Sequence, residues 1–344
     1  MKICVCGAQV PFVSGGAELH MENLVAALRD AGHDAELVRL PTAWDRDRVF
    51  DAALAWRLVP VDADLVIATN FPSYFVRHAN KVVWLFHQHR AAYDAADSPW
   101  SDFGLDDDGL EAQRLLTEWD TRALEESRRR FTTSRVVADR LARYNGLDAE
   151  PLYHPPPLFD RLRSAGTRGG GTTPGDYVFC ATRLDANKRP ELLVEAARHL
   201  SSTTRIVIAG RGSLEGELHT RIEELGVSDR VELAGFVSDD ELVDLYAGAL
   251  GVVYAPFDED YGYVTLQAFA AGKPVITAKD SGGTLEWVED GVTGSVTDGS
   301  AVEIAAAVDR LASDRAAARE QGTTGHGRVA GLDWNSVVST LTRA

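Results

Sequence analysis

Apolar and polar positions alternate along this chain in one repeated unit: a short apolar run, a polar loop, then apolar residues at helical spacing. KICVCGA is a strand-like run ending in Gly7, and after a loop Leu19, Leu24, Ala27, Leu28 and Ala31 keep the helical period until Gly32 stops it. AELVRL, DLVIAT, KVVWLF and RFTTS read as further strands, while RLLTEWDTRALEESRRR and RVVADRLARYNG read as helices. Strands and helices in alternation predict a parallel sheet wrapped by helices.

The pattern breaks between His154 and Asp176, where Pro, Gly, Ser and Thr crowd together as in a linker. It then restarts with YVFCAT, a helix over 190–200, RIVIAG, a helix over 214–225, VELAGF, a helix over 239–249, GVVYAP, a helix over 264–271 and PVITA. Both halves are therefore α/β. With 344 residues, two domains are expected, 1–160 and 161–325, followed by a C-terminal helix in 326–344. Parallel sheets bind ligands at the carboxyl ends of their strands, so two sheets facing a central cleft would put the chemistry in the loops after Gly7, Phe86, Thr182, Gly210 and Pro256.

Composition narrows the function. A hydrophobic fraction of 45% with no apolar run near the length of a membrane span marks a soluble globular chain, and no secretory leader is recognisable at its start. Cytoplasmic placement is expected. The net charge of -17 argues against nucleic acid and against docking on anionic lipid. Three cysteines cannot all pair, and Cys4 and Cys6 alternate with Ile3 and Val5 as buried thiols do.

Three loops in the second half carry candidate chemistry. Arg183 and Lys188 flank a turn leading into a helix near Pro190, and two cations beside a helix start suit an anion. Gly210 and Arg211 open GRGSLEGEL, in which Ser213 reads as the helix N-cap; the glycines serve either a plain turn or a close ligand. Asp258, Glu259 and Asp260 precede Gly262, after which a helix starts. Carboxylates accept hydroxyls of a sugar, and the N–H groups following Gly262 can donate to phosphate. An acidic helix cap over core residues Val264 and Leu266 is the alternative reading.

Together these motifs resemble the donor domain of the retaining GT-B glycosyltransferases of family 4, also called group 1. That family carries an Arg and Lys pair after the first strand of its second domain, then a Glu, seven residues and another Glu. Arg183 and Lys188 match the pair, Glu259 the first Glu, and Gln267 stands where the second is expected. The segment VPFVSGGAELHMENL is similar to the family's N-terminal glycine loop, with Gly15 and Gly16 in the corresponding positions; TTSRVVADRL, GFVSDDELVDLYAGA and PVITAKDSGGTLEWVEDGVTG extend the likeness.

The resemblance implies two Rossmann-like domains and a C-terminal helix that returns toward the first. It implies a donor site of Arg183 and Lys188 on the diphosphate and Glu259 on the sugar hydroxyls. Gly15, Gly16, Gly210, Arg211, Asp260, Tyr261, Gly262, Tyr263 and Val264 would line it, with Gln267 toward the ribose. A neutral Gln267 forms weaker bonds there than a carboxylate. The expected reaction moves a hexosyl-type sugar from a UDP- or GDP-sugar to a hydroxyl of a small-molecule or glycan acceptor, with retention, no metal and no cofactor. A nucleotide-sugar epimerase or hydrolase, or a non-catalytic subunit, are the alternatives.

KVVWLF ends in the polar group His87, Gln88, His89 and Arg90. A His after this strand commonly lies near the donor sugar in the family, which marks His87 as catalytic; Glu18, His89, Arg90 and Tyr93 become acceptor candidates, with the donor phosphate as the alternative for His89 and Arg90. Tyr93, Trp100 and Phe103 lie in an acidic, aromatic stretch over 91–110 that reads as a loop or lid, its rings either stacking on an acceptor or stapling the loop to the core. His87 and His89 have no carboxylate at ligand spacing, so no metal is expected.

Overall fold

The computed structural model describes residues 1–11, 15–98, 101–104, 106–168 and 175–343. The chain divides into two compact units, Met1–His154 with Asp333–Ala344, and Pro155–Leu332. Each is built on one parallel six-stranded sheet.

In the first unit the strands are β1 (Lys2–Gln9), β2 (Asp34–Pro41), β3 (Leu65–Ala68), β4 (Lys81–Leu85), β5 (Arg129–Thr132) and β6 (Glu150–Pro151), ordered β2-β1-β3-β4-β5-β6. Helices α1 (Gly16–Asp30), α2 (Val49–Leu58), α3 (Asp107–Glu125) and α4 (Arg135–Asn145) connect them. The pleat of β1 divides its side chains between two cores. Ile3 and Val5 pack with Met21, Leu24 and Leu28 of α1. Cys4 and Cys6 pack with Trp56, Phe71 and Val83. All three thiols are free and buried.

The second unit opens with α5 (Phe159–Arg168), followed by β7 (Tyr177–Ala181), α6 (Pro190–Ala197), β8 (Arg205–Ala209), α7 (Glu215–Leu225), β9 (Val231–Gly235), α8 (Asp239–Gly248), β10 (Gly251–Val253), α9 (Tyr263–Ala270), β11 (Val275–Ala278), β12 (Gly294–Thr297), α10 (Ala301–Ser313) and α11 (Arg315–Val329). Its strand order is β12-β11-β10-β7-β8-β9. Every registered pair is parallel.

Two expectations are corrected here, those for the linker and for Ser213. The stretch 154–176 is not all linker, because α5 occupies its middle. Phe159 and Leu162 are buried three residues apart, and Gly166 lies so close to the backbone of Ala271 that a Cβ would come within 2.8 Å of it. Residues 169–174, the glycine run, fall outside the described residues. The C-terminal stretch holds two helices. Helix α11 stays with the second unit, and α12 (Trp334–Thr342) joins the first, setting Val337, Val338 and Leu341 in the α1 core. Finally, Ser213 does not cap α7: Leu214 holds that position, and the Ser213 amide and hydroxyl both donate to Asp185.

Candidate functional site

The second unit gathers its candidate residues on loops at the carboxyl ends of β7, β8, β10 and β11. The loop after β7 is fixed first by its neighbour after β8. The Leu184 amide donates to the Arg211 carbonyl at 3.0 Å, and the Leu214 amide returns to the Leu184 carbonyl at 2.9 Å. Gly210 has φ 137°, and a Cβ there would meet the Thr182 carbonyl at 1.8 Å; at Gly212 it would meet Leu184 at 2.5 Å. These glycines admit the chain's own neighbouring loop, so the packing reading holds for them whatever else the loop binds.

Asp185 organises the exposed edge of the pair. It accepts from Ser213 and sits 3.0 Å from the Arg183 guanidinium, which is 54% exposed, with Arg211 exposed beside them. Lys188 ends a short 3-10 turn (Ala186–Lys188) and pairs with Glu259, both largely screened from water. The Glu259 carboxylate also accepts from the Tyr254 hydroxyl at 2.7 Å. Burial works to raise the Glu259 carboxyl, yet the Lys188 ammonium and the two hydrogen bonds hold it below the usual carboxylate range. Glu259 is therefore an ionised acceptor facing a cation.

Of the three acidic residues before Gly262, only Glu259 makes that pairing. Asp258 takes the left-handed region at φ 44°, and its amide donates to the Asp280 carbonyl at 2.8 Å. Asp260 and Tyr261 are buried, with the Tyr261 ring edge-on to Tyr263 at 5.5 Å. The segment Ser281–Thr284 closes on this loop from β11. The Gly283 amide donates to the Glu259 carbonyl at 2.6 Å, and a Cβ on Gly282 or Gly283 would come 2.5 Å from backbone oxygens of Glu259 or Asp260. Gly262, at φ 80°, is the N-cap of α9 and offers no side chain to its first turn, made by Tyr263 and Val264. Cations, a carboxylate and a helix start without a side-chain cap lie along one run of loops, a combination suited to a phosphate ester of a polyol.

Gln267 lies one turn into the same helix. It is 7% exposed on α9, accepts from the Tyr246 hydroxyl at 3.1 Å and donates to the Pro157 carbonyl at 3.2 Å, so its amide joins α9 to α8 and to the segment ahead of α5. Gln267→Glu would set a carboxylate oxygen against the Pro157 carbonyl. The expected loss is about 2 kcal/mol, read as a melting temperature roughly 5 °C lower at pH 7. Burial raises the new carboxyl's folded pKa, and the protonated form can donate to Pro157. The deficit should therefore shrink toward pH 5; a deficit independent of pH contradicts this placement.

In the first unit, Gly15 precedes α1 in extended backbone and its amide donates to Glu18 at 2.9 Å, with Gly16 as the first helical residue. Glu18 thus caps its own helix. Phe12 to Ser14 of the glycine loop fall outside the described residues. His87, half-buried just beyond β4, has Nδ1 2.7 Å from the Gln88 carbonyl, which can only accept, so that ring nitrogen donates.

The remaining acceptor candidates are structural in their contacts. His89 is stacked on Trp44 and Phe71, each 5.5 Å between ring centres, with Phe103 edge-on at 5.3 Å; burial pushes it down to about 4. Arg90 pairs with Asp94 at 2.5 Å, and Arg140 meets the same carboxylate at 3.2 Å. Tyr93 is 3% exposed and donates to buried Asp120 at 2.5 Å. Tyr93 and Phe103 staple the 91–110 stretch to the core; Trp100 lies outside the described residues.

Residue spacing gave no sign of several neighbours of the site. Tyr254 opens the loop that carries Glu259, Asp280 arrives from the loop after β11, and Phe236, 78% exposed directly after β9, follows Gly235, whose carbonyl accepts from the Gly210 amide. Among the described residues no three His, Cys, Asp or Glu side chains are grouped to hold a metal, and no helix is long and apolar enough to cross a membrane.

Comparison with known proteins bears on the same loops. Residues 172–327 match the family described as glycosyl transferases group 1. A D-inositol 3-phosphate glycosyltransferase of Streptomyces bingchenggensis is 32% identical over 198 residues, 52% of this chain and 43% of that protein. A GDP-mannose-dependent alpha-(1-6)-phosphatidylinositol monomannoside mannosyltransferase of Mycobacterium tuberculosis is 34% identical over 208 residues, covering 57% and 53%. The chain thus spans about half the length of the curated relatives it matches. Among solved structures, Anabaena HepE in complex with UDP and glucose is similar with a TM-score of 0.72 at 19% identity, over 99% of this chain and 98% of that one. Sucrose-phosphate synthase from Thermosynechococcus elongatus is similar with a TM-score of 0.76 at 19% identity, over 99% and 97%. The fold is GT-B, and the part of the chain that is similar to the group 1 glycosyl transferases, residues 172–327, is the part that carries the loops described above.

Proposed function

We propose that this chain is a retaining glycosyltransferase that moves a hexosyl-type sugar from a UDP- or GDP-sugar to an acceptor hydroxyl. The observation that carries the reading is the Lys188–Glu259 pair beside the start of α9, within the residues that match the family. Departure of a nucleoside diphosphate leaves negative charge on the phosphate and positive charge at the anomeric carbon. Preorganised cations lower that barrier, and Lys188 with Arg183 supplies them without a metal. Lys188 then exchanges the Glu259 carboxylate for phosphate oxygens, which frees Glu259 to accept from the sugar's hydroxyls. His87 is a further proposed catalytic residue.

Retention follows the family resemblance, with the leaving phosphate taking the acceptor proton on the same face. Relatives named for inositol phosphate and for a phosphatidylinositol mannoside make polyols and small glycosides the first acceptors to screen. The proposed setting is the cytoplasm.

The test is thermal unfolding against UDP, GDP and their sugars, followed by product analysis with and without acceptors. A ligand at about 100 times its dissociation constant stabilises by roughly 2.7 kcal/mol. Stabilisation by one of them and acceptor-dependent nucleotide release are expected. No stabilisation by any of them overturns the donor site, and an isomerised or free sugar from donor alone replaces transfer by epimerisation or hydrolysis.

A further inference from the structure

Arg189 follows Lys188 directly and is a non-glycine residue at φ 50°, a backbone region that an arginine seldom takes. It is also the N-cap of α6, where a cation meets the positive end of the helix. Two unfavourable features at one residue require compensation from its side chain. The guanidinium supplies it: Nε donates to the Ala255 carbonyl at 2.8 Å, one Nη to the Pro256 carbonyl at 2.9 Å, and both Nη groups to Asp280 at 2.7 and 2.9 Å. The Phe257 ring lies 5.9 Å from the guanidinium carbon.

These bonds join three loops that meet nowhere in sequence. Residues 255–257 lead from β10 to Glu259, Asp280 leads from β11 to the glycines that close on Glu259, and Arg189 is bonded to Lys188. Backbone bonds follow the same seams, from the Phe257 amide to the Asn187 carbonyl at 2.8 Å and from the Asp258 amide to the Asp280 carbonyl at 2.8 Å. The turn thus sends adjacent side chains to two points of one segment, Lys188 to Glu259 and Arg189 to the carbonyls of Ala255 and Pro256. The planar fork makes four bonds at once, to two carbonyls and to both oxygens of a carboxylate; a lysine ammonium has three donors at one point and cannot reproduce them.

We infer that Arg189 and Asp280 are positioning residues of the donor site, a buttress that sets Lys188, Glu259 and the start of α9 at the spacing a sugar diphosphate needs. The inference rests on the donor reading above. With the buttress intact, the site is assembled before donor arrives, and little ordering is left for binding to supply. The Asp280 carboxyl, held below its ordinary range chiefly by Arg189, stays charged through the working pH range.

The experiment compares Arg189→Lys and Asp280→Asn with the full-length wild type, and adds Asp280→Glu as the conservative rescue. Titration calorimetry with UDP and GDP, steady-state kinetics with the preferred nucleotide sugar, and amide hydrogen exchange without ligand are the three readouts. Expected are a Kd and a KM raised about tenfold with a smaller change in kcat, faster exchange at Phe257, Asp258 and Gly283, and partial recovery in Asp280→Glu. A lowered melting temperature with Kd and KM within twofold of wild type would mean a merely structural pair and overturns the inference. If wild type itself binds neither nucleotide, the donor reading fails by that result. Exchange then decides the buttress alone: acceleration upholds it, and unchanged exchange overturns it.

Discussion

Lys188→Ala should lower turnover of the nucleotide sugar by 10²–10³, the usual cost of losing one preorganised charge from a site where negative charge develops. The loss has a second component. Lys188 is the leading influence that holds the Glu259 carboxyl down against burial, so its removal should raise that carboxyl from its lowered position. A protonated Glu259 accepts poorly from sugar hydroxyls. The remaining activity of the variant should therefore rise with pH across the interval in which Glu259 ionises, while wild type, with its carboxylate already ionised, stays flat there. Measuring kcat/KM between pH 5 and 8 separates this from simple unfolding. A Lys188→Ala enzyme within a few-fold of wild type would place the diphosphate elsewhere. Arg183, 54% exposed and shared with Asp185, should matter less than Lys188.

That ranking was not readable from the chain. Arg183 and Lys188 look alike as cations of one loop, and only the contact with Glu259, 71 positions away, tells them apart. The contacts of the polar group after β4 were unreadable for the same reason. His89, Arg90 and Tyr93 stand where a parallel sheet offers ligand contacts; His89 and Tyr93 meet partners distant in sequence, Trp44 and Asp120, while Arg90 pairs with Asp94 four residues on. Ser213 likewise has the chemistry of an N-cap and is taken by Asp185.

Features set by local periodicity were legible. The alternation of Ile3 and Val5 with Cys4 and Cys6 divides between two cores as a pleated strand requires. The restart at YVFCAT is β7, and the helix expected after Gly262 begins at Tyr263. Helix α5 escaped because, among the described residues, only Phe159 and Leu162 mark its buried face, and prolines and glycines on both sides mimic a linker.

Acid should destabilise this protein well before its carboxylates titrate, through a pair of histidines that periodicity does not single out. His20 on α1 and His154, the last residue before the chain leaves the first unit, are both 0% exposed, with Nδ1 of one 3.1 Å from Nε2 of the other. Trp84 lies edge-on to both, and Trp334, at the start of α12 where the chain returns, lies 5.4 Å from His154. Burial pushes His20 down to about 3 and holds His154 well below its ordinary value, so both are neutral when folded. Unfolded histidines titrate near 6.5. Below that pH the unfolded chain binds two protons that the folded chain refuses, so stability falls as pH falls. From pH 7 to pH 5 the pair should remove about 4 kcal/mol of unfolding free energy. Asp120, raised by burial to about 7, works in the opposite sense, because its folded carboxyl takes up a proton before the unfolded one does. A comparison with His20→Gln/His154→Asn isolates the pair from that contribution. Denaturant unfolding at pH 7, 6 and 5 should show a much shallower acid loss in the double variant. Equal slopes for the two proteins would mean that the pair accepts a proton in the folded state, with the aromatic cage opening to admit water.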